Sequence, residues 1–137
     1  MKSQTKLRTQ EWYRKKCVEL AKKIVRIKAN YKCAYCGVGE PQRRTHGSHV
    51  YGEGTYKNMS ADIDNVLCLC AGHHLGFYKN TKSLSWHNNP IEMVEWFIHK
   101  YPKRHMDLKL RTQKIYKVNW EKKREELKLI YKSLNNT

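Results

Sequence analysis

Acidic side chains are scarce in this sequence. Its 137 residues carry 12 Asp plus Glu against 28 Lys plus Arg, a formal net charge of +16, which points to a polyanionic partner. Long apolar runs are also lacking: no stretch approaches the roughly 18 to 20 apolar residues that span a bilayer. The N-terminus, Met1-Lys-Ser-Gln-Thr-Lys, has no apolar core of the signal-peptide kind. Lys and Arg are spread around the N-terminal region rather than gathered opposite a wide apolar face, which argues against a membrane-surface helix. No internal repeat is present. The expectation is an intracellular protein of one compact domain, with a core that is modest at this chain length.

The excess positive charge is unevenly placed. Residues 1–32 carry 11 basic and 2 acidic side chains, residues 33–99 carry 5 and 6, and residues 100–137 carry 12 and 4. A nearly neutral centre therefore lies between two strongly basic flanks, the distribution expected if the flanks grip a phosphate backbone across the centre. The alternative is a set of solvated helix faces on a very soluble protein.

Within the centre, Cys33-Ala-Tyr-Cys36 and Cys70-Ala-Gly-His73 are two metal-ligand pairs of matching two-residue gap. Zinc takes a closed tetrahedron of thiolate and imidazole, and this gap lets both members of a pair reach one ion from a tight turn, with Gly37 and Gly72 supplying backbone freedom. Structural zinc at Cys33, Cys36, Cys70 and His73 is expected, worth on the order of 10 kcal/mol of apparent folding free energy. Cys17 and Cys68 remain as reduced thiols, a distribution that suits a reducing cytoplasm. Histidines 46, 49 and 74 are left over in or beside the same bracket, and a spare imidazole serves equally as a general base near neutral pH or as a metal ligand.

Periodicity places helices around this centre. Tyr13, Cys17, Leu20, Ile24 and Ile27 recur at steps of three or four, which predicts a helix over Glu11 to Lys28 with one buried stripe, stopped near Asn30. Short strands are expected over Thr45 to Tyr51 and Asn65 to Leu69, separated by an irregular loop over residues 52–63, and a short helix over Ala71 to Phe77. Asn89 as cap and Pro90 at the first position predict a helix that ends before Pro102. Further helices are expected over Asp107 to Tyr116 and, capped by Asn119, through about Ser133.

These motifs resemble the HNH, or ββα-metal, nuclease family, and within it the phage recombination nucleases called NinG. The resemblance rests on Tyr31-Lys-Cys-Ala-Tyr-Cys-Gly37, Ser48-His49-Val50, Asp64-Asn65, Leu69-Cys70-Ala-Gly-His-His74, His87-Asn-Asn-Pro90 and Glu95-Trp-Phe97, with looser similarity through Leu108-Lys-Leu-Arg111 and Val118 to Trp120. It implies an α+β, mostly helical fold: a zinc-stapled ββα core over residues 33–100, a basic N-terminal helix over 1–32 and a basic helical extension over 101–137. It further implies a metal-dependent DNA endonuclease acting on recombination intermediates in the cytoplasm of a bacterial host.

By the same resemblance His49 is the general base that takes a proton from water, Asn65 is the central asparagine that orients it, and His74 binds the catalytic divalent ion. His73 and His74 point in different directions on a helix, so one can face zinc and the other the scissile phosphate. Many family members carry an acidic or other metal ligand just before the base, whereas this chain has Ser48. Help for His74 then comes from another side chain, His87 first, with His46, Asp62, Asp64 and Glu53 behind it. Mg²⁺ or Mn²⁺ suits a site completed by phosphate and water oxygens, while imidazole also admits Zn²⁺ or Ni²⁺. His99 and His105, in basic surroundings, are expected only to meet phosphate or water. Trp12, Tyr13, Tyr101, Tyr116, Trp120 and Tyr131 are interleaved with the flanking cations and divide between core packing and base stacking. Symmetric cutting would call for a homodimer. Two other readings compete: a non-catalytic, zinc-stabilised DNA-binding module, which Ser48 favours, and an HNH nuclease of restriction or homing type, which would need a sequence-reading element in addition to basic helices.

Overall fold

A computed structural model describes residues 7–75 and 85–135. The first helix, α1, spans Gln10–Lys28 and is started by Thr9, whose hydroxyl accepts the Trp12 N–H at 3.1 Å. Its buried side chains are Arg14, Cys17, Val18, Ala21 and Ile24, the one-sided stripe that the periodicity predicts. The helix stops where Asn30 and Tyr31 take left-handed φ values of 52° and 56°, so Asn30 is the breaker expected from its type.

Two short strands follow, β1 (Thr45–His49) and β2 (Val66–Cys70), paired antiparallel with Thr45 opposite Cys70 and His49 opposite Val66. Both depart slightly from the expected bounds, Thr45 to Tyr51 and Asn65 to Leu69. The cause is Asn65: its side chain, rather than a strand backbone, takes the Tyr51 N–H at 2.8 Å and ends the ladder there. The loop between the strands is irregular, as expected, but contains two 3₁₀ turns, Lys57–Met59 and Ile63–Asn65.

Helix α2, Ala71–Leu75, leaves β2 directly; Gly76 and Phe77, expected within it, lie outside the described residues. Helix α3, Pro90–Lys100, begins with Pro90 at its first position. Asn89 precedes it, yet its amide oxygen accepts the Ser85 N–H at 3.2 Å and makes no cap hydrogen bond, which corrects the expected capping role. Helix α4 occupies Pro102–Thr112, not Asp107 to Tyr116. Pro102 ends one helix and opens the next, since its fixed φ and missing N–H suit a first helical position as well as a stop. Helix α5, Trp120–Asn135, is started by Asn119, whose amide oxygen accepts the Lys122 N–H at 3.2 Å.

Helix α1 is the pivot of the packing. One side meets α5 through a core of Cys17, Val18, Ala21, Ile24, Ala61, Trp120 and Leu127, with Tyr13 and Tyr131 packed against it. A second core, Cys33, Met59, Leu67, Leu69, Cys70, Met93, Phe97 and Leu108, ties the sheet and the cysteine turn to α3 and α4. Each fully buried Phe or Leu contributes about 1.5–3 kcal/mol of burial free energy. The architecture is α+β with a small two-stranded sheet. No described helix is long and apolar enough to cross a membrane.

Candidate metal centre and histidine cluster

The ligand atoms of Cys33, Cys36, Cys70 and His73 all lie within 4.8 Å of one another. Around a tetrahedral zinc, with bonds of about 2.3 Å to sulfur and 2.0–2.1 Å to nitrogen, sulfurs stand about 3.8 Å apart and sulfur and nitrogen about 3.6 Å. Cys36 Sγ and Cys70 Sγ are 3.9 Å apart, Cys33 Sγ and His73 Nδ1 3.7 Å, and Cys70 Sγ and His73 Nδ1 3.1 Å. The four residues can thus hold one metal ion, and the donor set suits structural zinc.

Local structure explains the convergence. The Cys33 turn closes by a Gly37 N–H to Cys33 carbonyl bond of 2.8 Å, with Gly37 at a left-handed φ of 76°. Gly39 follows because a side chain there would collide with the Tyr31 carbonyl. The Ala34 N–H reaches the Cys68 carbonyl at 2.8 Å and so pins the turn to the free edge of β2. Arg43 places Nη1 3.7 Å from Cys36 Sγ and 3.8 Å from Cys70 Sγ, a cation that offsets the charge of three thiolates and that sequence spacing did not single out. Burial pushes the Cys33 thiol up to about 12. At Cys70 burial acts in the same direction, but the His73 backbone N–H and Arg43 outweigh it and hold the thiol below its ordinary value. The remaining thiols, Cys17 and Cys68, are buried and unpaired; burial pushes Cys17 up to about 11 and also raises Cys68.

Next to this centre stands a group of three imidazoles. His74 is in the middle: its Nδ1 is 3.1 Å from His46 Nδ1, and its ring centroid is 5.1 Å from that of His87. Two nitrogens bound to one ion at about 2.0–2.1 Å stand roughly 3.0–3.4 Å apart, so the His46–His74 spacing fits shared ligation. β1 supplies His46, α2 supplies His74, and the turn before α3 supplies His87. That segment is fixed because Trp86 N–H bonds the His73 carbonyl at 2.9 Å and His87 N–H bonds the His74 carbonyl at 3.3 Å. Burial, then the charges of His46, His87, Lys22 and His49, pushes the His74 imidazole down to about 4. It is a neutral lone-pair donor at pH 7. His46 is lowered as well, first by burial and then by Arg44, Arg26 and Lys22.

His49 lies on the same strand as His46, at its far end. Its Nε2 is 2.7 Å from the Ser60 carbonyl oxygen. A carbonyl only accepts, so Nε2 carries the proton and Nδ1 keeps the lone pair. Burial lowers the His49 pKa, against the opposing pull of the Ser60 carbonyl. Asn65, fully buried, does not bond the imidazole; its amide accepts from Tyr51 N–H and donates to the carbonyls of Tyr51 and Met59, both at 3.0 Å. It therefore holds the loop that presents Ser60.

The acidic residues near the histidines in sequence are otherwise engaged. Arg111 bonds Asp62 at 2.6 Å and Asp64 at 3.0 Å, and Arg14 bonds Glu53 at 3.0 Å. Ser48 is buried opposite Leu67, with no hydrogen bond to a histidine among the described residues. His46 and His87 are thus the side chains brought against His74, with ring centroids at 5.3 and 5.1 Å, ahead of the acidic alternatives.

Comparison of this chain with protein-family models, with curated proteins and with solved structures returned no match.

Proposed function

We propose that this chain is a metal-dependent DNA endonuclease of HNH type, stapled by zinc at Cys33, Cys36, Cys70 and His73. The observation that carries the reading is the placement of neutral His74 against His46, flanked by His87, on the β1–β2–α2 unit that also bears His49. Three imidazoles suit a divalent ion completed by water and phosphate oxygens. Such an ion, Mg²⁺, Mn²⁺ or a softer imidazole-binding metal, would supply positive charge to the scissile phosphate and the leaving oxygen.

The chain's own residues do the rest. His49, with its proton confined to Nε2, offers Nδ1 as the base for the attacking water. The Ser60 carbonyl holds the ring and favours the imidazolium as it forms, the second part of the base's task. Asn65 keeps the loop, and so Ser60, in place. The basic flanks α1, α4 and α5 hold the phosphate backbone; on α1, Trp12 is stacked by Arg8 at 4.0 Å and by Arg124 of α5 at 5.2 Å, which joins the two flanks.

Cleavage of a supercoiled plasmid and of a four-way junction, with and without Mn²⁺ and with His49→Ala as control, tests this. Metal-dependent nicking that vanishes in the variant, with binding retained, is expected; preference for the junction would place the enzyme in recombination. Tight binding with no cutting in any metal would instead make it a zinc-stabilised DNA-binding module. Affinity should fall about a thousandfold between 50 and 200 mM salt if six or more phosphates are contacted.

A further inference from the structure

Strand β1 carries its two site histidines on either side of a glycine that α1 nearly touches. A Cβ built on Gly47 would lie 2.5 Å from Lys22 Cγ, 2.7 Å from its Cβ and 3.1 Å from its Cα. Only a residue without a side chain admits the helix this close. The contact sets the Lys22 stem against β1 at Gly47, and the lysine's charge acts on His46, His49 and His74.

Lys22 differs from Arg14, Arg26, Arg104 and Arg111. It is half-buried, yet its side chain makes no ion pair or hydrogen bond among the described residues. Arg14 is bound to Glu11, Glu53 and Ser60, Arg26 to Glu40, Arg111 to Asp62 and Asp64, and Arg104 to backbone carbonyls. A lysine half-buried beside these imidazoles has no counter-charge among the described residues. An anion between the lysine and the histidines would satisfy it.

We infer that Lys22 is a catalytic residue that contacts the non-bridging oxygens of the scissile phosphate, beside His46, His49 and His74. This rests on the nuclease reading and deepens it: α1 then serves as a wall of the site as well as a basic flank. As phosphorus gains the attacking oxygen and loses the leaving oxygen, charge accumulates on the non-bridging oxygens, and a positioned ammonium stabilises it more than it stabilises the bound diester. His49 takes the proton of the water; Lys22 transfers none.

Two measurements decide it. The first follows the Lys22 side-chain ammonium and the four histidine rings of the wild-type zinc protein by NMR during titration with inorganic phosphate. Shifts at Lys22 and the histidines together support the contact; titration to tens of millimolar phosphate that leaves Lys22 unmoved overturns it. The second compares single-turnover nicking at saturating DNA by wild type, Lys22→Gln and Lys22→Arg. The proposal expects Lys22→Gln to lose about a hundredfold in rate with DNA affinity within about threefold of wild type and the thermal midpoint retained, and Lys22→Arg to recover part of the rate. Equal rates for wild type and Lys22→Gln overturn it. If the wild type itself cuts nothing in any metal, the nuclease reading falls, and the phosphate titration alone decides whether Lys22 and the histidines form an anion site.

Discussion

The imidazole of His49 and the carbonyl of Ser60, 2.7 Å apart, leave Nδ1 as the nitrogen of the proposed base that keeps a free lone pair. His49 works as a base only when neutral, and burial lowers its pKa from the ordinary 6.5. Activity should therefore be fully present at neutral pH and be lost as pH falls through a value below 6.5, not at it. A single-turnover pH profile with saturating metal reads this directly. An acid limb centred at or above pH 6.5 would exclude His49 in this setting as the group that limits the rate.

Asn65 links that base to the fold. Its amide satisfies one N–H and two carbonyls of the Tyr51–Met59 loop, and the residue is fully buried. Asn65→Ala leaves those backbone groups without a partner, at about 1–3 kcal/mol for each one that water cannot reach. Urea unfolding should show a loss of at least about 2 kcal/mol. Nicking should fall further than the folded fraction accounts for, because Ser60 loses its place against His49. A variant as stable as wild type would show that the loop holds itself.

How much of this was legible in the sequence depends on the distance between partners. The cysteine and histidine pairs of the metal centre were readable because each pair is local and its spacing is set by ligand geometry. Helix α1 was readable from its single buried stripe, and α5 from its asparagine start. The beginning of α4 was not, because Pro102 reads equally as the end of one helix and the start of another. Nor was the fate of Asp62, Asp64 and Glu53, which stand near the histidines in sequence but are taken by Arg111 and Arg14 from other elements. The same holds for Arg104, whose guanidinium reaches the carbonyls of Ile63, Asp64 and Val66 at 3.3, 2.6 and 3.0 Å. Nothing periodic or spaced announces a contact that forms only when distant segments pack.

The candidate metal centre is part of one core: Cys33 and Cys70 pack in the cluster of Leu69, Met93 and Phe97. Removing the proposed zinc should therefore cost more than local order. A strong chelator, or Cys36→Ser, should lower the thermal midpoint by well over 10 °C, since about 1 kcal/mol shifts a domain of this size by about 4 °C and the metal supplies several times that. Cys68→Ala removes a buried thiol outside the ligand set and should leave zinc stoichiometry at one per chain. Zinc content and thermal melts check both. A chelated protein with an unchanged melt would mean that the four ligands close without metal.

Gly47 offers the sharpest test of how α1 is seated. In Gly47→Ala the new methyl meets Lys22 Cγ and Cβ at 2.5 and 2.7 Å and the helix backbone at Lys22 Cα at 3.1 Å. Rotation of the side chain can carry Cγ aside, but Cβ and Cα are fixed to the helix and can yield only by moving α1, which also packs on α5 through Cys17, Ala21 and Ile24. Overpacking of this kind costs about 1–3 kcal/mol. Adding Lys22→Ala removes the Cγ contact but leaves those at Cβ and Cα, so the double variant should regain only part of the lost stability, a coupling measurable from urea midpoints in a four-protein cycle. Full recovery would locate the strain in the lysine side chain alone, and no loss in Gly47→Ala would mean that α1 rests farther from β1 than the close contact at Lys22 requires.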